Sequence, residues 1–364
     1  MAKTTLPDDI IVHILLRLPV KSLIRFSCVS KRWRSLVISD PEFAQSHFKL
    51  ASKQKTLNRR LLLSTDSQLE SLDLEAPSSG DNSSVRKLVS PFKLDNGAKI
   101  LGSCNGLVCA IGEKFYIWNP STGLSKTLSK TGSFGLWPLH YCCHGFGYVS
   151  AIDDYKLVVA TDSIFNGEVA IFSLRANVWK RMKGPDDQSI DMQIDNIGTL
   201  LNEALHWLPS HQLYMFAFDL AKEEFRKVPL PVTCELDDMP FQYLGLLEGC
   251  LCALQHKSCD CDSIDFWVMT EYCVRESWTK LFTFKIFGPP ERPRSLKRVF
   301  VSESGSVVVK KYWSRDMEFI RIEKKEDKLD DKNDKVVVWG DRYTLKWCCE
   351  INVGYDETLL WVGG

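Results

Sequence analysis

The chain has 364 residues, of which 45% are hydrophobic and 25% are charged, as in an ordinary globular protein. Its 46 basic and 46 acidic side chains cancel, so the charge favours neither nucleic acid nor an anionic membrane as a partner. No apolar run approaches the roughly 20 residues that span a bilayer, and the first residues lack the pattern of a signal peptide. We therefore expect an intracellular protein, in the cytoplasm and/or the nucleus, that binds neither nucleic acid nor membrane.

The densest helical pattern of the chain lies in residues 6–43. Apolar side chains there recur at the spacing of one helical face, beginning at Ile10. Pro7 suits the first turn of a helix, and Pro19 should end it because the residue before a proline is disfavoured in the α conformation. The sequence therefore predicts a first helix between the two prolines.

Three further short helices are predicted after Pro19. The second should cover about 20–26, and the third should contain Trp33. Asp40 precedes a proline and predicts the cap of a brief fourth helix that ends near Phe48. A unit of this size cannot bury apolar residues on both sides of every helix. The surplus of apolar side chains predicts a surface that another protein covers.

This first segment resembles an F-box, and the matching sequence is LPDDIIVHILLRLPVKSLIRFSCVSKRWRSLV. It matches the family at the leading Leu-Pro, the apolar ladder, the Arg-Leu-Pro-Val-Lys-Ser-Leu turn and the Val-Ser-Lys-Arg-Trp close. The resemblance implies binding to a Skp-type adaptor, which links the F-box to cullin and RING subunits. The adaptor-facing and core positions that it implies are Leu6, Pro7, Ile10, Ile14, Leu15, Leu18, Pro19, Leu23, Val29 and Trp33. The alternative is a helical cap whose apolar residues all face inward.

After a basic bridge at 49–59, the pattern changes to short β-like runs separated by turns. Similar four-strand units recur about every 45 to 50 residues, beginning with the copy at 100–128. Four short strands cannot bury their faces alone, and stacking such sheets radially produces a β-propeller. We predict five or six blades, with the final segment YDETLLWV pairing with the first strand to close the ring.

This region resembles the F-box-associated domain of plant F-box proteins, a kelch-like β-propeller. The matching pieces are LGSCNGLVCA, IWNPSTG, the His-Gly-Phe-Gly-Tyr at 144–148, the Asp-Tyr-Lys-Leu-Val at 154–158 and the Val-Trp-Lys at 178–180. The expected fold is a small all-α F-box at 1–48, a linker at 49–59 and an all-β propeller-like domain at 60–364. Trp residues should pack between blades, namely Trp118, Trp179, Trp207, Trp267, Trp278 and Trp313.

Metal, cofactor and enzyme functions receive little support from the residue patterns. The 13 cysteines include no C-x-x-C pair, so we expect free thiols and neither a metal nor a cofactor. His144 is interpreted as a turn residue, and the mixed charges of 324–335 predict a mobile loop. Carboxylates suited to a propeller hydrolase are present, but no serine nucleophile elbow, H-E-x-x-H motif or phosphate-binding loop occurs.

The expected function is substrate recognition in a ubiquitin ligase of the Skp-cullin-F-box type, without catalysis by this chain. A propeller holds variable loops on a rigid frame, so a protein target should bind loop residues. Aromatic and arginine side chains are frequent anchors of interfaces. The nominated target-binding residues are Phe134, Trp137, Arg292 and Arg294. An F-box scaffold outside a ligase, or a propeller hydrolase with a helical cap, are the alternatives.

Overall fold

A computed structural model shows a helical module followed by stacked β-sheets. The residues that it describes are 7–64, 68–73, 85–93, 98–128, 143–160, 168–185, 197–209, 213–231, 241–256, 263–285, 296–301, 307–313, 316–329, 335–345 and 350–362.

The helical module contains four α-helices, as predicted. Their bounds are Asp8–Leu15 for α1, Val20–Phe26 for α2, Lys31–Arg34 for α3 and Pro41–Gln54 for α4. A π-helical turn at Ser35–Ser39 follows α3. Prolines stand immediately before α1 and α2, at the ends of the predicted first helix.

Side chains cap the later two helices. Ser30 accepts a hydrogen bond from the Trp33 amide at 3.1 Å, and the Asp40 carboxylate accepts from the amides of Glu42 and Phe43 at 2.9 and 3.1 Å. Helix α4 runs past the predicted end near Phe48, because its apolar face continues to residues such as Ala51, which is buried.

The propeller contains 24 strands among the described residues. The first sheet has the order β24-β1-β2-β3, the second β4 to β7 and the third β8 to β11 in chain order. The strands are β1 Arg59–Ser64, β2 Leu69–Asp73, β3 Val85–Leu88, β4 Lys99–Cys104, β5 Leu107–Ile111, β6 Phe115–Trp118, β7 Ser125–Thr127, β8 Cys143–Val149, β9 Asp154–Ala160, β10 Glu168–Ser173, β11 Val178–Lys183 and β24 Glu350–Asp356.

The remaining strands form two more sheets. The fourth sheet contains β12 to β15, and the fifth has eight strands. The strands are β12 Thr199–Leu201, β13 Ala204–Trp207, β14 Tyr214–Asp219, β15 Glu224–Pro229, β16 Phe241–Leu247, β17 Cys250–His256, β18 Ser263–Met269, β19 Trp278–Lys285, β20 Leu296–Val301, β21 Val307–Trp313, β22 Asp316–Leu329 and β23 Lys335–Leu345.

The fifth sheet consists of two antiparallel four-stranded meanders, β16 to β19 and β20 to β23. A single parallel bridge between Thr283 and Val336 joins them. The predicted five or six blades are thus confirmed as a five-bladed propeller whose fifth sheet holds two meanders. Lys324 and Leu329, predicted to lie in a mobile loop, instead pair with β23, so that prediction was wrong.

The ring is closed by the pairing of β24 with β1, in which Arg59 lies opposite Asp356. The prediction that a segment near the end of the sequence pairs with the first strand was correct. It was wrong in position, because only Tyr355 and Asp356 of YDETLLWV belong to the strand. Residues 357–362 leave the sheet, and Leu359 and Leu360 among them pack in or against the core of the helical module.

Apolar side chains seal adjacent sheets against each other. Predicted inter-blade tryptophans Trp118, Trp207 and Trp278 are buried, and Trp179 packs against Phe115 and Phe172 at ring distances of 5.2 and 5.0 Å. Dispersion and exclusion of water from these facing surfaces stabilise the stack.

The His-Gly-Phe-Gly-Tyr motif lies in the middle of β8. A Cβ on Gly145 would stand 2.6 Å from the Leu205 side chain of the next sheet, so any larger residue would force that buried side chain to shift. His144 is fully buried within the strand rather than in a turn, which corrects the prediction. Its carbonyl accepts hydrogen bonds from the Gly198 amide at 2.7 Å and the Trp207 indole at 3.2 Å.

Because neighbouring strands of each sheet run in opposite directions, their ends lie on two opposite sides of the propeller. We call the side with the short turns at 105–106, 150–153, 202–203 and 248–249 the turn face. The strand ends that lead from one sheet to the next lie on the opposite side, the loop face. Because β1 begins beside the end of β24, the helical module joins the propeller at the turn face.

Candidate functional site

Helix α1 exposes part of its apolar ladder. Ile10 and Ile14, one helical turn apart, are 45% and 49% exposed. Leu15, the neighbour of Ile14, is buried and packs in the core of the module. The helix therefore has one apolar side that its own domain covers and another that it leaves in water.

A second exposed apolar group lies at the end of α2. Phe26 is 37% exposed and Val29 is 66% exposed. Phe26 meets the half-buried Trp33 ring edge to face, with centroids 5.7 Å apart, which holds both rings in place. We call Ile10, Ile14, Phe26 and Val29 the exposed apolar face. Four of the ten exposed large apolar side chains of the described residues thus lie within 10–29.

Exposed charged side chains lie on the same helices as this face, and basic ones predominate among them. The exposed lysine and arginine side chains of α1 to α3 and their connections are Arg17, Lys21, Arg25, Lys31, Arg32 and Arg34. Asp8 forms an ion pair with Arg32, which raises the pKa of that guanidinium through a hydrogen bond and charge attraction. Because both side chains are largely exposed, the pair adds little stability.

The residues implied by the F-box resemblance divide into surface and core. Pro7, Ile10, Ile14, Pro19 and Val29 are exposed, and Leu18 and Trp33 are half-buried. Leu15 and Leu23 are 1% and 0% exposed and pack in the core, so they support the surface from beneath. Leu6 lies outside the described residues. Phe26 was not nominated, although its position at the end of a short apolar helix could have suggested it.

The nominated target-binding residues lie outside the described part of the chain. They are Phe134, Trp137, Arg292 and Arg294. The strands on either side of them can be placed, because β7 ends and β8 begins at the loop face, as do β19 and β20 respectively. These strand ends lie on the side of the propeller away from the helical module.

Comparison with known families agrees with this two-part architecture. The F-box domain matches residues 4–44, which contain the exposed apolar face. The F-box associated beta propeller domain matches residues 60–349, which is most of the chain. The chain belongs to the F-box proteins with an F-box-associated propeller.

Relatives of this F-box protein occur in Arabidopsis thaliana. The F-box protein CPR1 is 32% identical over 326 residues, covering 80% of this chain and 75% of the relative. The F-box/kelch-repeat protein At3g23880 is 30% identical over 291 residues, covering 76% of this chain and 79% of the relative. The kelch-like character of the blades in this F-box protein stays a prediction.

The propeller of the F-box protein also holds a polar cluster between its fourth and fifth sheets, formed by the buried His206, the half-buried Tyr272 and the exposed Arg226. The Nε2 atom of His206 lies 2.7 Å from the Tyr272 hydroxyl, and Arg226 donates to that hydroxyl at 2.7 Å. Burial lowers the pKa of His206 to about 4 and raises the pKa of Tyr272 to about 12. His206 is therefore neutral near pH 7, and the cluster joins the sheets.

Cys104 and Cys252 of the propeller are buried, and the same physical effect keeps their thiols protonated near pH 7. Burial raises the pKa of Cys104 and of Cys252 to about 12. Within the ranges that the structure describes, His, Cys, Asp and Glu residues form no group of three that could hold a metal ion. No helix among those same residues has the length and apolar character to cross a membrane.

Proposed function

We propose that this F-box protein is the substrate-recognition subunit of a Skp-cullin-F-box ubiquitin ligase. The F-box would bind a Skp-type adaptor and, through it, the cullin and RING subunits. The propeller would hold a protein target near the ubiquitin-conjugating enzyme. In this function no side chain of the chain makes or breaks a bond, because proximity raises the effective concentration of the target.

The exposed apolar face is the observation that supports this proposal most. Water-exposed Ile10, Ile14 and Val29 cost free energy in the isolated protein, and a partner that covers them removes that cost. The exposed lysine and arginine side chains of the same helices favour an acidic partner surface and faster association at low salt. Both features suit a stable protein partner on the F-box.

The placement of the F-box at the turn face supports a separate site for the target. An adaptor bound to the helices leaves the loop face free, where the strand ends beside Phe134, Trp137, Arg292 and Arg294 lie. We propose that the target binds there. We propose that the chain acts by binding without catalysis and that it is located in the cytoplasm and/or the nucleus.

The adaptor interface is tested by placing charge on the exposed apolar face. We expect Ile10→Asp combined with Ile14→Asp to weaken binding of a purified Skp-type adaptor by at least about 100-fold, because two carboxylates would be buried without partners. Calorimetry or surface plasmon resonance measures the affinity. Because both side chains are exposed, the melting temperature should not fall.

A matched control uses Ile152, an isoleucine of the turn face that is 47% exposed. Ile152→Asp makes the same kind of substitution once, outside the F-box, and should leave adaptor affinity unchanged. If the double F-box variant still binds the adaptor like the native chain, the proposed interface is wrong.

Assembly with cullin and RING subunits separates a ligase from a scaffold. We expect the native chain, adaptor, cullin and RING subunit to elute as one complex that transfers ubiquitin in the presence of conjugating enzyme. A chain that binds the adaptor and yet excludes the cullin would instead be a scaffold.

A further inference from the structure

Residues 357–362 connect the F-box to the propeller, and we call this segment the strap. Its first residue, Glu357, is buried beside the point where the chain enters β1. The Glu357 amide donates to the Asn58 carbonyl at 2.9 Å, and its carboxylate accepts from the Asn58 side chain at 3.2 Å. Arg86 lies 3.4 Å from the same carboxylate, and Arg60 lies 3.8 Å away. The strap is thus anchored by charge at its start.

Asn119 holds the middle of the strap. Its side-chain nitrogen donates to the carbonyls of Thr358 at 3.1 Å and Leu360 at 2.8 Å. Its side-chain oxygen accepts from the amides of Ser121 and Thr122 at 2.8 and 3.2 Å. Asn119 is fully buried and is the first residue of the Asn-Pro-Ser-Thr-Gly turn of the second sheet, which contains Ser121 and Thr122. The turn motif therefore also binds the strap.

The two sides of the strap contact different domains. Leu359 is 2% exposed and belongs to the F-box core with Leu15 and Leu23, while Leu360 packs at its edge. Thr358 faces the propeller and donates to the Asn105 carbonyl at 3.0 Å.

Two further residues continue the propeller side of the strap. Trp361 and Val362 pack on the apolar cluster between the second and third sheets. Lys126 donates to the Val362 carbonyl at 3.4 Å. The F-box core is therefore completed by residues that the propeller itself holds.

We propose that the strap fixes the orientation of the F-box on the propeller, and that Asn119 and Leu359 are positioning residues for ubiquitin transfer. A linked pair of domains moves relative to each other unless their interface is large and apolar. The strap adds apolar packing of Leu359 on the F-box side and hydrogen bonds from Asn119 on the propeller side. Resting on the proposed ligase function, this inference means that a captured target keeps a constant distance from the conjugating enzyme.

Asn119→Asp tests the hydrogen bonds from Asn119 to the strap independently of those that form the turn. Aspartate keeps the oxygen that accepts from Ser121 and Thr122, so the turn and the blade should form. It loses the donors to Thr358 and Leu360 and places an acceptor against two carbonyl oxygens. Strap binding is thus weakened by an isosteric change.

The orientation is measured by double electron–electron resonance in the isolated full chain, with nitroxides on unnatural amino acids at Arg34 and Val178. Both sites are exposed and outside the strap. We expect Asn119→Asp to broaden the distance distribution to at least about twice the native width, as for loosely tethered domains. Adaptor affinity should change by less than about twofold, because the exposed apolar face is untouched.

Two controls distinguish positioning from general destabilisation. Thr199→Val removes a side-chain hydrogen bond of 3.1 Å to the Leu244 carbonyl in a part of the propeller that lacks the strap. It should leave the distance distribution narrow. Leu359→Ala should broaden the distribution from the F-box side, and Leu359→Met should restore it.

The proposal would be overturned if a folded Asn119→Asp protein kept the native width of the distance distribution. It would also be overturned if Thr199→Val broadened the distribution as much as Asn119→Asp does. If Asn119→Asp fails to fold, Leu359→Ala decides by the same measurement: a narrow distribution rejects the strap. These distances are measured without adaptor, so a native chain that fails to bind the adaptor rejects the ligase function and leaves the strap proposal standing.

Discussion

The F-box and the propeller differ in how much of their apolar surface they cover themselves. In the propeller, each sheet lies against another, and residues such as Trp207 and Phe218 are excluded from water. Its exposed apolar residues, including Val89 and Leu213, are scattered along the chain. In the F-box, Ile10, Ile14, Phe26 and Val29 are exposed within one short segment. The comparison teaches that one chain combines a propeller that buries its apolar faces with an F-box that leaves an apolar surface exposed to a partner.

Size is the physical reason for the difference. A module of about 45 residues has too little interior to enclose every apolar side chain, whereas stacked sheets share their faces. The F-box fills part of its core with Leu359, which comes from the far end of the sequence. What it still exposes is available to a partner.

The largest expected effect is a loss of stability in the buried interior of the propeller. Trp207→Ala should destabilise the propeller by about 3–5 kcal/mol, because it removes a buried ring packed between the third and fourth sheets. Denaturant unfolding followed by fluorescence measures the loss. Leu213→Ala, at a residue that is 77% exposed, is the control and should change stability by less than about 0.5 kcal/mol. Equal effects would contradict the assignment of Trp207 to the core.

The next effect separates core from interface inside the F-box. Leu23→Ala should cost about 2–5 kcal/mol of stability, since the side chain is fully buried. Val29→Ala should leave stability within about 0.5 kcal/mol and weaken adaptor binding, because Val29 is 66% exposed. Thermal unfolding and adaptor affinity are measured for both variants. Loss of stability in Val29→Ala would show that this residue belongs to the core.

A third effect compares the buried histidines of the two regions. Burial lowers the pKa of both, to about 4 for His206 in the propeller and to below its usual value for His47 in the F-box. As pH falls below the unfolded value near 6.5, the unfolded chain takes up a proton that the native state refuses. The contribution of His206 is therefore complete above pH 6.5 and is lost toward pH 4.

Urea unfolding at pH 7.5 and pH 5.0 measures this loss. We expect about 2 kcal/mol less stability at the lower pH from His206 alone. His206→Asn removes the titration, so the difference between native and variant should shrink on acidification. A pH dependence equal in both proteins would contradict the buried, neutral histidine.

The smallest effect concerns the cap of α4. Asp40→Ala removes the acceptor for the Glu42 and Phe43 amides and should cost about 1 kcal/mol of F-box stability. Asp40→Asn keeps an acceptor oxygen and should restore most of it. Thermal unfolding of the full chain, with adaptor affinity as a check, measures the effect. A neutral Asp40→Ala variant would mean that tertiary packing alone holds the helix start.

Much of the fold could be predicted from local pattern. Prolines and helical spacing located α1 and α2, and the repeated strand units indicated the propeller. The bounds of an element could not be predicted where contacts with distant parts of the chain decide them. Helix α4 continues to Gln54 because the face containing Ala51 is covered, and Lys324 lies in a strand because β23 pairs with it.

The sequence by itself determined that a small helical F-box precedes a propeller, since periodicity, prolines and turn residues act between neighbours in the chain. Only the tertiary structure decided which apolar residues of the F-box are core and which are surface, for Leu15 and Ile14 stand side by side in sequence. It also showed that Asn119 holds Thr358 and Leu360, which are more than 200 positions away. Such contacts depend on where the sheets close into a ring, and the local pattern predicted that closure without locating it at Glu350–Asp356.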